Sequence, residues 1–399
     1  MDASHASPLV ERVAREAYGR LVASLAVRFR DIHAAEDAVG DALRLALERW
    51  PTTGVPDEPI AWLSATAKNQ LLQRARHDEV VARETSLHAI TAALEERNER
   101  PVEELGDERL RLMFVCAHPA IDESVRTALM LQTVLGLDAE AIGRAFLVPG
   151  ATMGQRLVRA KRKIRDAAIP FEAPEASELA SRLHAVIEGI YAAFATDDAS
   201  LVDEAMFLAE LLATDLPEEP EALALLALVR FRHARRAASR DEGRFVPLAE
   251  QDTARWDRAS ILSAEDLLRT AASLRRPGPF QIEAAIQSAH CQRLFTGQTP
   301  WRAIVHLYGV LARLAPTTGS TIAEAVGRVE IGDLEGAALL LDGLGPQHVA
   351  AYAPYWLARA HLADRIGDAT GRSSALERAI ELTSDATLRA HLRERLART

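Results

Sequence analysis

Cysteine, aromatic residues and long apolar runs are all scarce in this chain of 399 residues. It holds two cysteines, and aromatic residues make up 5% of it. Two cysteines far apart in the sequence, Cys116 and Cys291, give no framework of disulfides. No apolar run reaches the roughly 20 residues that a membrane-spanning helix needs. The first residues also lack the pattern of a secretion signal. We therefore expect a cytoplasmic protein without membrane association.

Motifs of catalysis and of metal binding are also missing. The sequence contains no glycine-rich phosphate loop, no nucleophile elbow and no zinc-protease motif. Cys116 and His118 stand close together, but a metal site would require a second pair of ligands. Cys116 also falls on the apolar face of a predicted helix, which favours burial. We predict no metal, no cofactor, no catalytic residues and no enzymatic activity.

Alanine, leucine, arginine and glutamate dominate the composition, and these residues favour helix. Runs of alternating β-branched residues are not evident, so we predict an all-α fold. Composition and breaker residues suggest five segments. These are a first helical block at residues 1–77, an acidic linker at 78–107 with a marginal helix around 87–94, a second block at 108–170, a hinge at 171–180 and a helical run at 181–399.

The helical run contains pairs of amphipathic helices. In residues 352–386, Trp356, Ala360, Leu376 and Ala379 recur near the spacing of a tetratricopeptide repeat. The periodicity is irregular, so a non-repeating helical domain is the alternative. Two polar and aromatic segments, residues 250–260 and 275–291, either line a groove between helix pairs or connect the helices.

The most informative stretch is residues 138–165, which predicts two short helices joined by a tight turn. Asp138 is a candidate N-cap, Pro149 ends the first helix, and Thr152 can cap the second. The apolar positions of the second helix keep a helical period: Met153, Leu157, Ala160 and Ile164. The opposite side carries polar and basic residues: Thr152, Gln155, Arg156, Arg159, Arg162 and Lys163. This pattern is typical of a helix-turn-helix whose second helix enters the DNA major groove, although a solvated basic face is the plainer alternative.

The first block has a complementary pattern. A helix across residues 34–50 carries acids on its outer face: Glu36, Asp37 and Asp41. Residues 51–59 hold three prolines and a glycine and predict a loop. A helix follows that is apolar in its first half and basic in its second half, through Lys68, Arg74 and Arg76. The net charge of −10 leaves these basic clusters effective locally, because salt screens charges beyond about 10 Å.

These motifs, in this order, resemble the extracytoplasmic-function sigma factors of the sigma-70 superfamily. AAEDAVGDAL and AWLSATAKNQLLQRAR are similar to region 2, and GLDAEAIGRAFLVPGATMGQRLVRAKRKIR is similar to the helix-turn-helix of region 4. The likeness covers residues 10–168. The remainder resembles the tetratricopeptide-like extension of one subgroup, which makes the likeness nearly full-length.

The resemblance implies partners and residue roles. Asp37 and Asp41 would face the β′ clamp of core RNA polymerase, whose β subunit is also a partner, and the loop at residues 51–59 would hold a base flipped from the −10 element. The −10 contacts would be Trp62, Lys68, Asn69, Arg74 and Arg76. The −35 major groove would receive Thr152, Gln155, Arg156 and Arg159, while Lys161, Arg162 and Lys163 would touch phosphates. Gly40 stands where the family usually has glutamine.

The C-terminal extension would regulate the factor, through a protein partner or through a contact within the chain. Two other readings remain open at this point. One is a helix-turn-helix regulator that binds DNA without polymerase and senses a signal through its repeats. The other is a scaffold in which the repeats are the function and the basic helix is incidental.

Overall fold

The computed structural model describes residues 3–81, 107–146, 148–172, 174–196 and 198–398. The fold is all-α, as predicted. The chain divides into two compact units, Met1–Leu211 and Leu212–Thr399. The acidic linker predicted at residues 78–107, including its helix around 87–94, lies almost entirely outside the described residues. Its first residues extend the helix before them to Val81, and its last residue, Asp107, is also described.

The structure describes nine helices that begin in the first unit. They are α1 (Ala3–Phe29), α2 (Ile32–Thr53), α3 (Pro59–Val81), α4 (Arg109–Cys116), α5 (Glu123–Thr133), α6 (Ala139–Ala145), α7 (Gly150–Asp166), α8 (Ala176–Phe194) and α9 (Ala199–Asp215).

Aspartate side chains cap the first turns of helices α2, α5 and α6. The carboxylates of Asp31, Asp122 and Asp138 accept hydrogen bonds from backbone N–H groups in the first turns of α2, α5 and α6. Such caps satisfy donors that the helix leaves open and stabilise it by about 1 kcal/mol each. The predicted caps Asp122 and Asp138 are confirmed.

Two local predictions are wrong. The loop expected at residues 51–59 begins later, because α2 continues through Pro51 to Thr53. The hydroxyls of Thr52 and Thr53 both donate to the carbonyl of Arg49, and Gly54 N–H donates to Trp50, so the last turn keeps its hydrogen bonds around the proline. Thr152 is not the cap of its helix, since α7 already begins at Gly150 after Pro149.

The two predicted N-terminal blocks pack against each other. Gly19 of α1 lies directly on the end of α5, where a Cβ atom would stand 1.9 Å from the carbonyl oxygen of Val134. Only glycine fits at such a distance. Tyr18 covers Gly136 from the same helix. The blocks are therefore parts of one compact unit rather than separate bodies joined by a linker.

The start of the predicted extension belongs to this unit as well. Helix α8 packs against α4 and α5. Arg109, at the start of α4, is 4% exposed. Its guanidinium is ion-paired with Asp107 and with Glu204 of α9, and it lies 4.7 Å from the ring centre of Phe207. The compact unit therefore continues well past the hinge expected at residues 171–180.

The second unit continues the helical run. Its α-helices are α10 (Pro220–His233), α11 (Arg258–Ser273), α12 (Pro279–Cys291), α13 (Arg293–Thr296), α14 (Trp301–Leu314), α15 (Thr318–Glu330), α16 (Leu334–Asp342), α17 (Pro346–Val349), α18 (Ala353–Ile366), α19 (Ala369–Leu382) and α20 (Ala386–Ala397).

Hydrophobic clusters pass along these helices in chain order. One joins α12 to α14 around Ile286 and Ile304. The next joins α15, α16 and α18 around Ala325 and Leu341. The last joins α18, α19 and α20 around Leu376. Each helix pair thus buries its apolar face against the next pair, which is how helical-repeat arrays are stabilised. Ala360, Leu376 and Ala379, three of the predicted repeat positions, lie in the last cluster.

One short element was not expected. Arg240–Asp241 and Arg244–Phe245 form an antiparallel hairpin, β1 and β2. Glu242 and Gly243 both have positive φ angles, which suit a two-residue hairpin turn. Strands of two residues are too short to produce an alternating pattern, so the sequence did not reveal them.

Candidate nucleic-acid interface

Helix α7 has one buried stripe and one open flank. Met153, Leu157, Ala160 and Ile164 are between 1% and 6% exposed and form its inner side, as predicted. The open flank carries five exposed side chains and the half-buried Thr152. The exposed ones are Gln155, Arg156, Arg159, Arg162 and Lys163. Six of the seven residues predicted to contact −35 DNA therefore share one accessible surface, which we call the basic flank of α7.

The turn between α6 and α7 is compact enough to hold the two helices as a unit. A Cβ atom at Gly143 would lie 2.5 Å from the carbonyl oxygen of Val148. The N–H of Val148 donates to the carbonyl of Gly143. This close approach fixes the angle at which α7 leaves the turn. Two helices joined by a short turn, with the basic flank of the second one exposed, are what the helix-turn-helix prediction requires.

The basic flank also borders a pocket of about 410 Å³. Residues 120–125 form one wall, and Arg156, Arg159 and Lys163 form the other. The wall at 122–124 is the start of α5, where backbone N–H groups carry partial positive charge. Hydrogen bonds from Ser124, with a smaller effect of Arg156, hold the pKa of Asp122 below its usual range. Three cationic side chains, those of Arg156, Arg159 and Lys163, thus line the pocket with one carboxylate, that of Asp122.

The cations of the basic flank form no ion pair with a described acid, although the charge of Arg156 reaches Asp122. Arg159 donates to the carbonyl of Gln155, one turn earlier. No ion pair joins Arg156, Arg162 or Lys163 to another described side chain. Four positive charges thus remain available on one side of one helix. A phosphate backbone attracts such an array through Coulomb forces and the release of bound counterions.

Lys161 differs from its neighbours on α7. Its ammonium lies 2.5 Å and 2.7 Å from the two carboxylate oxygens of Glu36 on α2. The two side chains are 9% and 13% exposed. Burial raises the pKa of Glu36, and the charge of Lys161 acts in the opposite direction. Lys161, which the resemblance implied as a phosphate contact, is in this arrangement turned inward.

The acidic face of α2 has a second cation at its other edge. Arg74 of α3 lies 2.9 Å from Asp41 and 3.7 Å from Asp37. All three side chains are partly exposed, between 38% and 50%. The structure thus brings a predicted −10 contact against the two predicted polymerase contacts.

The remaining predicted −10 residues lie along α3. Trp62 is half-buried and packs edge-on against Trp50, with ring centres 5.6 Å apart. Lys68 is half-buried, and burial lowers its pKa with help from Arg28. Asn69 is exposed. The backbone of Arg76 is helical, but its side chain lies outside the described part of the chain.

Sequence reasoning placed the basic flank of α7 and the accessible acids Asp37 and Asp41 correctly, but Glu36, expected on the outer face of α2, is largely buried against Lys161. Lys161 and Glu36 are 125 residues apart in the chain, and no local pattern reveals such a pair. Arg109 was missed for the same reason, because its partner Glu204 lies in a distant helix. The two cysteines are buried, and burial raises the pKa of the Cys116 thiol to about 12, which leaves it protonated and unreactive.

The first polar and aromatic segment of the second unit, residues 250–260, is anchored around Trp256. Its indole N–H donates to Gln251, and the guanidinium groups of Arg235 and Arg293 lie 5.8 Å and 5.1 Å from its rings. Arg293 donates to the carbonyls of Leu248, Ala249 and Gln251. These contacts fix residues 248–256 to α13, so the first of the two segments braces helices.

A groove of about 430 Å³ lies in the same unit, among α12, α14, α15, α18 and α20. Its wall includes His290, Trp301, Tyr308 and His361. Burial lowers the pKa of His290 to about 4, and the charges of Arg235 and Arg293 act in the same direction. This imidazole is therefore neutral at physiological pH.

Comparison with known proteins identifies a family. The chain is 36% identical over 386 residues to "Uncharacterized protein R00370" of Rhizobium meliloti (strain 1021), which covers 92% of this chain and 90% of that protein. The chain belongs to the same family as that protein. Residues 182–272 match the family described as "Family of unknown function (DUF6596)". No solved structure matches. Among the helices that the structure describes, none is both long enough and apolar enough to cross a membrane.

Proposed function

We propose that this protein is a promoter-specificity subunit of RNA polymerase, similar to the extracytoplasmic-function sigma factors. It would bind core polymerase, recognise −35 and −10 elements and help to open the duplex, without covalent chemistry of its own. Its place of action would be the cytoplasm, where it meets polymerase and DNA.

The basic flank of α7 is the observation that carries this proposal. A helix whose apolar stripe is buried presents Gln155, Arg156 and Arg159 outward with no ion pair to a described acid. Arginine and glutamine donate pairs of hydrogen bonds to base edges in the major groove. Lys163 and Arg162, further along the helix, suit phosphate contacts, which position a protein without specifying sequence.

The helices before this element support the sigma function over a simple DNA-binding regulator. Helix α2 presents Asp37 and Asp41 on a partly exposed acidic face, and α3 follows it with Trp62, Lys68 and Asn69. The resemblance assigns the acidic face to the β′ clamp and α3 to the −10 element. A regulator that acts without polymerase has no evident use for an acidic face beside its DNA contacts.

The segment between α2 and α3 suits the flipped base of the −10 element. It is shorter than expected and runs from Gly54 to Glu58, beside the packed pair Trp50 and Trp62. Flipping a base costs a few kcal/mol, and stacking on aromatic rings offsets about 1–3 kcal/mol per base.

The helical array would regulate this activity. The likeness to the Rhizobium meliloti protein runs through both units, which supports a function that needs the N-terminal and C-terminal parts in one chain. We propose that the array contacts a protein partner or the N-terminal unit. Deleting residues 212–399 tests this, and unchanged transcription and unchanged regulation would contradict it.

Run-off transcription with purified core polymerase tests the main proposal. Core alone should give no promoter-specific product, and addition of the full-length chain should give discrete transcripts. Binding to DNA without any such transcript would favour a regulator that acts without polymerase. The variant Asp41→Lys should weaken binding to core, since it reverses a charge on the proposed contact face, while circular dichroism stays unchanged.

A further inference from the structure

The helical run of the second unit closes on itself. The hairpin β1–β2 lies near its beginning and α20 lies at its end, yet the two are in contact. The guanidinium of Arg240 lies 3.0 Å from the carboxylate of Asp385, the residue that caps α20. The rings of Phe245 and His391 meet edge-on, with centres 5.7 Å apart. The helices between these two contacts therefore form a closed turn rather than an open row.

The groove of about 430 Å³ lies among the helices of this turn. Its wall combines His290, near the end of α12, with Arg395, near the end of α20. Small-molecule sites in proteins have volumes of about 300–1,000 Å³. The groove is thus large enough for a small molecule, which would contact helices from both ends of the turn.

Most of the wall of the groove is aromatic or aliphatic. Trp301 stands edge-on to His290, with ring centres 5.4 Å apart. The branched side chains of Ile322, Val326 and Leu357 line the groove as well. Aromatic and aliphatic walls of this kind suit a planar apolar ring system, which packs against them over a large area. The wall therefore favours a ligand with an aromatic body.

The polar groups of the wall favour an anion over a cation. No acid is present among the described residues that line the groove. Arg395 supplies a permanent positive charge, and burial keeps the imidazole of His290 neutral. His361 binds Glu330, which lies outside the wall, at 2.8 Å. A guanidinium has five N–H donors, so Arg395 can keep a contact within the fold and also bind an anionic group.

We propose that this groove binds a small aromatic anion, with its ring system against Trp301 and Val326 and its anionic group at Arg395. This site goes beyond the proposed sigma function and does not depend on it. The ion pair between Arg240 and Asp385 is partly exposed, at 41% and 25%, and such pairs contribute little to stability by themselves. A ligand that bridges α14, α15 and α20 would therefore add to the stability of the closed turn.

Two dyes that share one ring system test the proposal. Anilinonaphthalene sulfonate is an aromatic anion, and N-phenylnaphthylamine is the same molecule without the sulfonate. Both fluoresce more strongly in apolar surroundings, so each can be titrated with the full-length chain. Wild type should bind the anion saturably. Arg395→Gln should weaken binding of the anion by about tenfold or more, because charge-assisted hydrogen bonds are lost, and leave binding of the neutral dye within about twofold of wild type.

Arg393→Gln is the matched control, because Arg393 is exposed on the same helix and does not line the groove. It should leave the affinity for both dyes unchanged. Ala323→Leu fills the groove from α15 and should weaken binding of both dyes. Ala272→Leu, at an exposed position of α11, should not. Circular dichroism checks the fold of each variant, and the comparison of Arg395→Gln with Arg393→Gln decides if Ala323→Leu fails to fold.

The melting temperature gives a second readout. The anion should raise it for wild type as the dye concentration increases, because a ligand of the folded state stabilises that state, and should raise it less for Arg395→Gln. Absence of saturable binding would overturn the inference, as would an equal effect of Arg393→Gln. Equal losses of affinity for both dyes with Arg395→Gln would also overturn it, since Arg395 would then support the fold rather than bind the anion. None of these results bears on run-off transcription, so the sigma function can fail or stand separately.

Discussion

The exposed cations of α7 and two internally hydrogen-bonded arginines of the second unit, Arg235 and Arg293, are similar in chemistry but differ in their surroundings. Arg156 and Arg162 face solvent and form no ion pair in the described chain. The guanidinium of Arg293, in contrast, donates hydrogen bonds to three backbone carbonyls. Arg235 is 7% exposed and donates to Phe231 and Gln287. Composition does not distinguish the two sets. Their surroundings separate a binding surface from structural braces.

This difference distinguishes the arginines that serve binding from those that serve folding, in a chain that is rich in arginine throughout. A cation whose donors are all used internally contributes to folding, and its loss should appear in stability. A cation with open donors contributes to binding, and its loss should leave stability unchanged. Lys161 and Arg74 belong to neither set, since each is paired with a carboxylate of α2.

The largest effect is expected for Arg109, a buried cation of the first unit. Arg109→Ala leaves Asp107 and Glu204 without their partner, and removing one member of a buried ion pair typically costs about 3–5 kcal/mol. Urea unfolding followed by circular dichroism measures this. Arg111→Ala is the control, since Arg111 is more exposed and, among the described residues, is ion-paired with Glu108. Equal losses of unfolding free energy for the two variants would show that the burial of an arginine does not determine its contribution to stability.

Arg293→Ala should destabilise the second unit by about 2–4 kcal/mol, because charge-assisted hydrogen bonds to carbonyls are lost with the contact to Trp256. Thermal unfolding of the full chain, monitored by the fluorescence of its tryptophans, reports the change. Arg302→Ala, at an exposed position of α14, should shift the transition little. A shift as small as that of Arg302→Ala would mean that Arg293, like the exposed cations of α7, does not stabilise the fold.

The stability of the second unit should fall between pH 6.5 and about pH 4 because of His290. Its pKa is lowered from 6.5 to about 4, so above pH 6.5 the imidazole is neutral in the folded and the unfolded chain. As the pH falls, the unfolded chain takes up the proton first, and about 2–3 kcal/mol of stability is lost by pH 4. His290→Gln should flatten this part of the profile. An unchanged profile would mean that His290 titrates normally in the folded state.

Arg156→Ala should weaken promoter binding by polymerase holoenzyme by about 1–3 kcal/mol and relax the preference at one −35 position. Stability should stay within about 0.5 kcal/mol of wild type, as for most exposed substitutions. Competition between promoters with single −35 changes measures the preference. A uniform loss across all of them would identify Arg156 as a phosphate contact.

Local chemistry was readable from the sequence. The buried stripe of α7, from Met153 to Ile164, and the caps Asp122 and Asp138 were predicted because each depends on residues within a few positions. Pro51 and Thr152 were misjudged, since hydroxyls of Thr52 and Thr53 sustain the end of α2 and Gly150 already starts α7. The pairing of Lys161 with Glu36 could not be foreseen. It depends on how α1 meets α5 at Gly19, which is a property of tertiary packing.

The most direct test of the account is to map the 5′ ends of transcripts that core polymerase makes from fragmented genomic DNA with and without this protein. The account predicts a new set of start sites that share one element near −35 and one near −10. With Arg156→Ala, base preference should relax in the −35 element and persist in the −10 element. Start sites identical to those of core alone would contradict it.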